Sequence, residues 1–347
     1  MTGPVFPGCK RAEVTLAAKR AFLESGAAWP GEATPECVET HGSLVFLTSD
    51  RAWKMKKPER RHFLDLSTLA ARQVACQEEL RLNLELAGDV YRGLTPLVAG
   101  ADGALSLGGE GQIVEWLVEM RRLPENQMLD QRLQHGPPPQ RAEIDGVADR
   151  MIAFYRTASH PEGAGQAFLA RQCREARINS AHLTEMRHRL GAPFDAGLAE
   201  SGLARMMACA DEILERGAGG IIVEGHGDLR PEHVCLMTPP VIFDRLEFDQ
   251  ELRLADPYEE FNYLGLECEA LGAGWIRDAL LTRLGQSGIG PPSPALMTAY
   301  GVNRCLTRAR LAIDHLRDAD IRTPQKWPAQ ARYYLARAAT LASLDEP

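Results

Sequence analysis

Residues 225–233 read GHGDLRPEH, and they lie between two short apolar segments, 221–223 and 241–243, that have the character of buried β-strands. Asp228 lies in this loop, and Asp244 directly follows the second apolar segment. Two loop carboxylates of this kind suit phosphoryl transfer, because one can orient an attacking hydroxyl while the other holds Mg²⁺ on the phosphates. The stretch therefore predicts a phosphate-transferring site.

The composition indicates a globular chain of one large or two ordinary domains. The 347 residues are 45% hydrophobic and 25% charged, with a formal net charge of −8. No basic block or aromatic-interleaved basic stripe is present, so we predict that nucleic acid is not a partner. The sequence has no apolar run of about 18 residues and no signal-peptide pattern, which predicts no membrane association.

Eight cysteines are spread widely along the chain, and none forms a CxxC pair. This spacing is typical of reduced, mostly buried thiols, and it predicts a cytoplasmic protein. The sequence leaves the oligomeric state open.

The pattern of apolar residues changes near residue 120. Helical spacing predicts a leading helix over 12–25 and a long helix over 68–87. Strand candidates lie at 37–40, 44–48, 52–56, 94–98 and 113–120. After Pro124 the patterns are mainly helical, interrupted by Gly- and Pro-rich breaks. We therefore expect an α+β chain with a sheet-bearing part over 1–120 and a helical part over 121–347.

The segment HGDLRPEH resembles the HGDLxxxN catalytic loop of aminoglycoside phosphotransferases, and it is similar to HRDLKPEN of protein kinases. Together with ETHGSLVFLTSDRAWKMKKP, EWLVEMRR and IFDRLEF, it resembles an uncharacterised bacterial branch of the phosphotransferase-like family over residues 35–270. The resemblance implies a protein-kinase-like fold, with a small antiparallel-sheet N-lobe and a mainly helical C-lobe that carries the catalytic and metal loops. It also implies ATP and Mg²⁺ as cofactors and a small-molecule hydroxyl as acceptor.

In the segment AWKMK, Lys54 resembles the third-strand lysine that binds nucleotide phosphates, and Glu79 on the long helix resembles its partner. Lys54 and Lys56 point to the same side of a strand, so spacing leaves both open, and the motif favours Lys54. Glu79 shares a helix face with Cys76, which directs it toward the sheet.

Three more residues are candidates for nucleotide binding. Residues 121–124, which follow the strand candidate 113–120, resemble the connector whose backbone reads adenine, and Glu119 and Met120 are predicted to form its edge. Ser43 lies in a turn over residues 41–43 that either covers the phosphates or forms a plain hairpin, and its single glycine leaves both open.

The resemblance assigns roles in the late loops. Asp228 orients the acceptor, Asp244 holds the metal, and Arg230 stands where protein kinases have a lysine that contacts the transferred phosphate. His233 replaces the family's asparagine, normally the second ligand of Mg²⁺. Imidazole favours softer metals, so Mn²⁺ is an alternative ion.

Two functions follow from this pattern: an ATP-dependent phosphotransferase acting on a hydroxyl of a small molecule, and, because of His233, a nucleotide-binding pseudokinase with a regulatory role. A protein kinase is disfavoured, because no Asp-Phe-Gly or Ala-Pro-Glu segment follows the metal aspartate.

Several other polar residues are predicted to have no catalytic role. We expect His226 to hydrogen-bond backbone beside the catalytic aspartate, and Asp256 and Glu260 to be structural. Three arginines on a late helix favour an exposed basic face over the alternative of an anion pocket: Arg304, Arg308 and Arg310.

Overall fold

A computed structural model describes residues 14–40, 42–61, 64–317 and 323–345. The chain forms two compact units, Met1–Leu123 and Pro124–Pro347. No helix in these described ranges is both long and apolar enough to span a bilayer.

The first unit contains a six-stranded antiparallel sheet and two α-helices. Its helices are α1 (Leu16–Glu24) and α2 (Leu69–Ala87). Its strands are β1 (Glu36–Glu39), β2 (Ser43–Leu47), β3 (Arg51–Lys56), β4 (Arg60–Arg61), β5 (Leu64–Asp65), β6 (Tyr91–Ala99), β7 (Leu105–Leu107) and β8 (Gln112–Arg121). The sheet order is β1-β2-β3-β8-β6-β7, and β4 pairs with β5 separately. The predicted helices and strands are found to within a few residues in the described ranges, and residues 12 and 13 of the predicted leading helix lie outside those ranges. β4, β5 and β7 are additional strands.

The two faces of β3 have different partners, because successive side chains of a strand point to opposite sides. Trp53 and Met55 lie on one face, in an apolar core with Phe46 of β2 and Leu23 of α1. Lys54 and Lys56 lie on the other face and contact α2. Removing a buried ring such as Phe46 by mutation to alanine would cost about 3–5 kcal/mol of folding free energy.

The second unit is mainly helical. Its helices are α3 (Leu129–Gln134), α4 (Arg141–Thr157), α5 (Ala164–Met186), α6 (Ala196–Ala208), α7 (Ala210–Ala218), α8 (Gln250–Arg253), α9 (Pro257–Ala270), α10 (Trp275–Gly285), α11 (Pro294–Asp314) and α12 (Lys326–Ala342). Its four short strands form two antiparallel pairs: β9 (Val223–Glu224) with β12 (Leu254–Ala255), and β10 (Val234–Cys235) with β11 (Val241–Ile242). These strands carry the loops that contain the predicted catalytic and metal residues.

Helix α9 lies at the centre of the second unit, and every residue from Pro257 to Cys268 is buried. Asp256 caps its N-terminus by accepting a hydrogen bond from the Tyr258 amide at 2.9 Å, and Pro257 occupies a first-turn position that needs no backbone donor. The same carboxylate pairs with Arg216 at 2.5 and 2.9 Å. The predicted structural role of Asp256 is thus confirmed.

Candidate active site

Both candidate lysines of β3 contact the same carboxylate. Lys54 Nζ lies 2.8 Å from Glu79 Oε1, and Lys56 Nζ donates to Glu79 Oε2 at 2.6 Å. Glu79 is completely buried, whereas 14% of the Lys54 side chain and 3% of the Lys56 side chain are exposed. Lys54 is therefore the more accessible of the two ammonium groups, and the phosphate-binding role remains a prediction.

The predicted adenine-reading residues lie inside the sheet. Glu119 is paired with Trp53 on one side and Gly93 on the other, and Met120 has strand partners on both sides as well. The Glu119 carboxylate accepts a hydrogen bond from Arg51 at 2.6 Å. The strand continues to Arg121, so these two residues precede the end of the ladder. Their contact with a nucleotide remains a prediction.

Ser43 is the first residue of β2 and is buried. Its amide donates to Thr40 Oγ1 at 3.0 Å, and the Thr40 amide donates to the Ser43 carbonyl at 2.9 Å. These two bonds close the turn between β1 and β2, as in a hairpin. His41, which belongs to the predicted turn, lies outside the described residues. Binding of phosphates by this turn remains a prediction.

The loop after β9 is held by a buried carboxylate of α9. Glu260 accepts hydrogen bonds from the amides of His226 at 3.1 Å and Gly227 at 2.7 Å, and from the Tyr155 hydroxyl at 2.8 Å. Gly225 permits this approach, because a Cβ there would lie 2.8 Å from Glu260 Oε2. Gly227 has φ +87°, a conformation that glycine adopts without strain. The predicted structural role of Glu260 is confirmed.

His226 connects the predicted catalytic loop to the predicted metal loop. Its Nε2 lies 2.9 Å from the Phe243 carbonyl, which can only accept, so Nε2 carries the proton and Nδ1 accepts from the Asp228 amide at 3.3 Å. Burial, followed by the neighbouring His233, lowers the pKa of His226 to about 4. A neutral ring that bonds only to backbone confirms that His226 is structural.

Asp228 presents a reachable carboxylate, with 35% of its side chain exposed. The Tyr263 hydroxyl donates to Oδ1 at 3.1 Å, and Arg230 Nε lies 3.4 Å from Oδ2. Burial acts to raise the pKa of this carboxyl, but the charge of Arg230 is the main influence that overcomes it and holds the pKa below its usual range. The group is therefore ionised at neutral pH and can accept a hydrogen bond from a hydroxyl.

Arg230 links two acidic side chains of the same loop. Besides its approach to Asp228, it forms an ion pair with Glu232 at 2.5 Å. The carboxylates raise the pKa of its guanidinium although burial opposes them. Arg230 therefore holds a fixed positive charge beside Asp228.

His233 lies between the two predicted functional aspartates. Its Nδ1 donates to the backbone carbonyl of Asp228 at 2.8 Å, which places the proton on Nδ1. Its Nε2 lies 3.4 Å from Asp244 Oδ2. An imidazole nitrogen and a carboxylate oxygen this close together can both act as ligands of one cation.

Asp244 has φ 61°, and it is the one non-glycine residue with positive φ in the described part of the chain. Such a conformation costs about 1–3 kcal/mol and is concentrated at functional sites. No cluster of three or more His, Cys, Asp or Glu suited to a metal occurs within the described ranges. The donor set of Asp244 and His233 still fits Mg²⁺ or Mn²⁺, because such ions commonly take one or two protein ligands and complete their shell with phosphates and water.

The late arginines are not on an exposed face, so that prediction was wrong. The exposed fractions of the Arg304, Arg308 and Arg310 side chains are 17%, 13% and 16%. Each is paired with a carboxylate from another helix: Arg304 with Glu259, Arg308 with Glu267, and Arg310 with Glu175. The sequence could not show this, because the acidic partners lie on α9 and α5, far away along the chain.

Tyr263 is a site residue that the sequence reading missed. Its hydroxyl contacts Asp228, and its ring lies under the Arg304 guanidinium at 4.0 Å. The available signal was its position one turn after Glu260, but Tyr263 itself is part of no recognisable motif.

Proteins with similar sequences include uncharacterized proteins of mycobacteria. The chain is 30% identical over 288 residues to the uncharacterized protein Rv2004c of Mycobacterium tuberculosis (strain ATCC 25618 / H37Rv), and the match covers 79% of this chain and 53% of that protein. The uncharacterized protein Mb2027c of Mycobacterium bovis gives the same values. The chain thus spans about half the length of the curated relatives it matches. No family model matches the sequence.

A solved structure with a similar fold is that of the GDP and kanamycin complex of APH(2")-IIia. The TM-score is 0.52 at 14% identity, and the match covers 94% of this chain and 99% of that one. The chain therefore has the protein-kinase-like α+β fold of the aminoglycoside-phosphotransferase group. This confirms the expected fold class and the resemblance from which it came.

Proposed function

We propose that the chain transfers the γ-phosphoryl group of ATP to a hydroxyl of a small molecule. The observation that carries this proposal is the arrangement of Asp228, His233 and Asp244, in which one imidazole contacts both aspartates. This arrangement supports Asp228 as a reachable base, with Asp244 and His233 beside it as groups that bind a cation. The fold similarity and the Lys54–Glu79 contact add support.

In this mechanism the acceptor hydroxyl donates a hydrogen bond to Asp228. The hydroxyl oxygen forms the new P–O bond, the bond between γ-phosphorus and the β–γ bridging oxygen breaks, and the hydroxyl proton passes to Asp228. Tyr263 and Arg230 hold the two carboxylate oxygens, which orients the group for this contact. Arg230 supplies positive charge to the oxygens of the transferred phosphoryl group.

Asp244 and His233 would hold the metal ion in this proposal. A bound Mg²⁺ or Mn²⁺ would supply positive charge to the nucleotide phosphates. The chain's own contribution is to fix the ligand atoms: the strained backbone of Asp244 sets its carboxylate, and the Nδ1 bond to Asp228 sets the His233 ring.

Replacing Asp228 with asparagine tests the proposal. Asparagine keeps the size and the Tyr263 contact but is a far weaker proton acceptor, so phosphate transfer to pooled hydroxyl metabolites should fall at least a hundredfold. The Mg-ATP-induced rise in melting temperature should remain. Asp278→Asn, at an exposed position of α10, is the matched control. Equal transfer by Asp228→Asn and wild type, or no melting shift with millimolar Mg-ATP, would refute the proposal.

A nucleotide-binding pseudokinase is the second candidate, and it is favoured by one observation, the histidine at position 233. That function predicts a melting shift with nucleotide in wild type and no phosphate transfer to any acceptor. The kinase function requires both the melting shift and the transfer.

A further inference from the structure

A cavity of about 290 Å³ lies beside Asp228, within the second unit. Gly227, Asp228 and Tyr263 line it on the side of the catalytic loop, and residues of α5 and α11 line much of the remainder. A volume of this size suits a small metabolite. Because the cavity includes the carboxylate proposed to orient the acceptor hydroxyl, it is positioned to hold the rest of that molecule.

The cavity wall is rich in guanidinium groups. Five arginines line it, against two acidic side chains, Asp228 and Glu175: Arg171, Arg230, Arg304, Arg308 and Arg310. Four of the five are balanced by carboxylates at the wall or behind it. The wall itself therefore presents more positive than negative groups to a ligand.

Arg171 differs from the other four because it forms no ion pair with a carboxylate in the described part of the chain. It is 7% exposed, donates to the Leu254 carbonyl at 2.8 Å, and lies over the Phe168 ring at 5.2 Å. Its Nε has no hydrogen-bond partner. A buried guanidinium without a direct ion pair is unfavourable, and the more distant carboxylates of Glu259 and Glu175 offset only part of that cost. A bound anion in contact with Arg171 would offset more of it.

Gln172, the next residue of α5, is a second unsatisfied group in the wall. It is 4% exposed, and its Oε1 accepts from Asn303 Nδ2 at 2.6 Å, which orients the amide and leaves Nε2 without a partner. Among the described lining residues, the buried polar side-chain atoms without a hydrogen-bond partner are all donors: Arg171 Nε, Gln172 Nε2 and Arg230 Nε. Of these, Arg230 Nε already has a counter-charge nearby, Asp228 Oδ2 at 3.4 Å, so Arg171 and Gln172 are the two that a ligand would satisfy. A ligand that satisfies them must supply acceptor atoms.

We propose that this cavity binds the acceptor of the phosphotransferase, and that the acceptor carries an oxyanion, either a phosphate or a carboxylate, in addition to its reactive hydroxyl. Arg171 and Gln172 bind the oxyanion, while Asp228 faces the hydroxyl. A guanidinium group can donate two parallel N–H bonds to a pair of oxygens on either anion. Cationic acceptors such as amino sugars would meet like charges in this wall. The assignment of the ligand as acceptor rests on the proposed function, whereas anion binding by the cavity does not.

Four compounds with the same three-carbon skeleton test the charge preference: glycerol, glycerate, glycerol 3-phosphate and 3-amino-1,2-propanediol. Binding to the whole chain is measured by calorimetry and by melting temperature, without nucleotide. We expect glycerate or glycerol 3-phosphate to bind at least tenfold more tightly than the neutral and cationic compounds. With Mg-ATP present, the anion that binds should be phosphorylated.

Two variants and a control locate the site. Gln172→Glu keeps the size and the Asn303 contact but places a carboxylate beside Arg171, and Arg171→Gln removes the unpaired charge. Each should weaken anion binding at least tenfold and leave the Mg-ATP melting shift unchanged. Arg174→Gln removes a charge from the same helix outside the cavity, where Arg174 pairs with Glu251 on the surface, and should bind as wild type does. This control separates site binding from the general stabilisation that such anions cause.

The outcomes distinguish this inference from the proposed function. Equal binding of the four compounds, or unchanged anion binding in both variants, would overturn the anion cavity. If one variant does not fold, the other decides. Anion binding that the variants abolish, without phosphorylation of any acceptor, would support the cavity and count against phosphotransfer. Phosphorylation of neutral or cationic acceptors without anion binding would overturn the inference and leave the phosphotransferase intact.

Discussion

Replacing each β3 lysine with methionine should separate phosphate binding from folding. Met is nearly isosteric with lysine and lacks its charge. Lys54 is the more exposed of the two, so we expect Lys54→Met to weaken Mg-ATP binding about 10- to 150-fold, which corresponds to the roughly 1.5–3 kcal/mol of a hydrogen bond to a charged group. Lys56→Met should leave Mg-ATP affinity within about threefold of wild type, because the almost completely buried Lys56 is not expected to contact the phosphates. A threefold change corresponds to roughly 0.7 kcal/mol of binding free energy.

The folding free energies should show the opposite order. Lys56 is almost completely buried and donates to Glu79 at 2.6 Å, so its loss should lower the free energy of unfolding by about 2 kcal/mol. Lys54→Met should cost less than Lys56→Met, since Lys54 is the more exposed of the two and Glu79 keeps its bond to Lys56.

Urea unfolding gives the stabilities, and calorimetry with Mg-ATP gives the affinities. Lys57→Met is the matched control, because Lys57 is the next residue of the chain and pairs with Glu39 instead, at 3.3 Å. If Lys56→Met abolishes nucleotide binding in a folded protein and Lys54→Met does not, then Lys56 is the phosphate lysine. If neither variant changes the affinity, the first unit does not bind the phosphates through these residues.

Three further predictions concern the second unit. His233→Asn should raise Mg²⁺-dependent ATP hydrolysis severalfold and reduce the advantage of Mn²⁺, because an amide oxygen suits Mg²⁺ better than imidazole does; identical metal profiles would show that His233 does not contact the metal. Gly225→Ala should reduce turnover at least tenfold with little change in nucleotide affinity, since the added Cβ would lie 2.8 Å from Glu260 Oε2. The control Gly290→Ala should behave as wild type, because no atom lies within 4 Å of its added Cβ. Glu260→Gln should lower the unfolding free energy by about 2 kcal/mol and slow turnover, because an amide cannot accept from both loop amides as the carboxylate does; unchanged turnover would show that this carboxylate does not position the loop.

The parts of the fold that the sequence predicted are those set by local pattern. The helix over 69–87 begins after Thr68, whose side chain accepts from the Ala71 amide, and the spacing of its buried residues directed Glu79 toward the sheet. The glycine-containing GHGD segment likewise indicated a tight loop, which contains the positive φ of Gly227.

The parts that the sequence did not predict depend on contacts between distant residues. Arg308 was expected to be exposed, but it pairs with Glu267 of α9, forty-one residues away. Arg171 and Gln172 have no motif, and only the packing of α5 against α11 brings them to the cavity near Asp228. A helical pattern identifies which face is buried but not which charged groups of another helix will meet it.

The central helix α9 restricts how this protein could acquire a new acceptor. Asp256 caps this helix, its Glu260 holds the loop that contains Asp228, and its Tyr263 contacts Asp228. The helix also supplies counter-charges for Arg304 and Arg308 of α11. A substitution on α9 would therefore alter acceptor recognition and loop geometry together. Residues such as Gln172 on α5 and Thr307 on α11 line the cavity without touching the loop, so we expect changes of specificity, in evolution or by design, to occur on those two helices while α9 stays fixed.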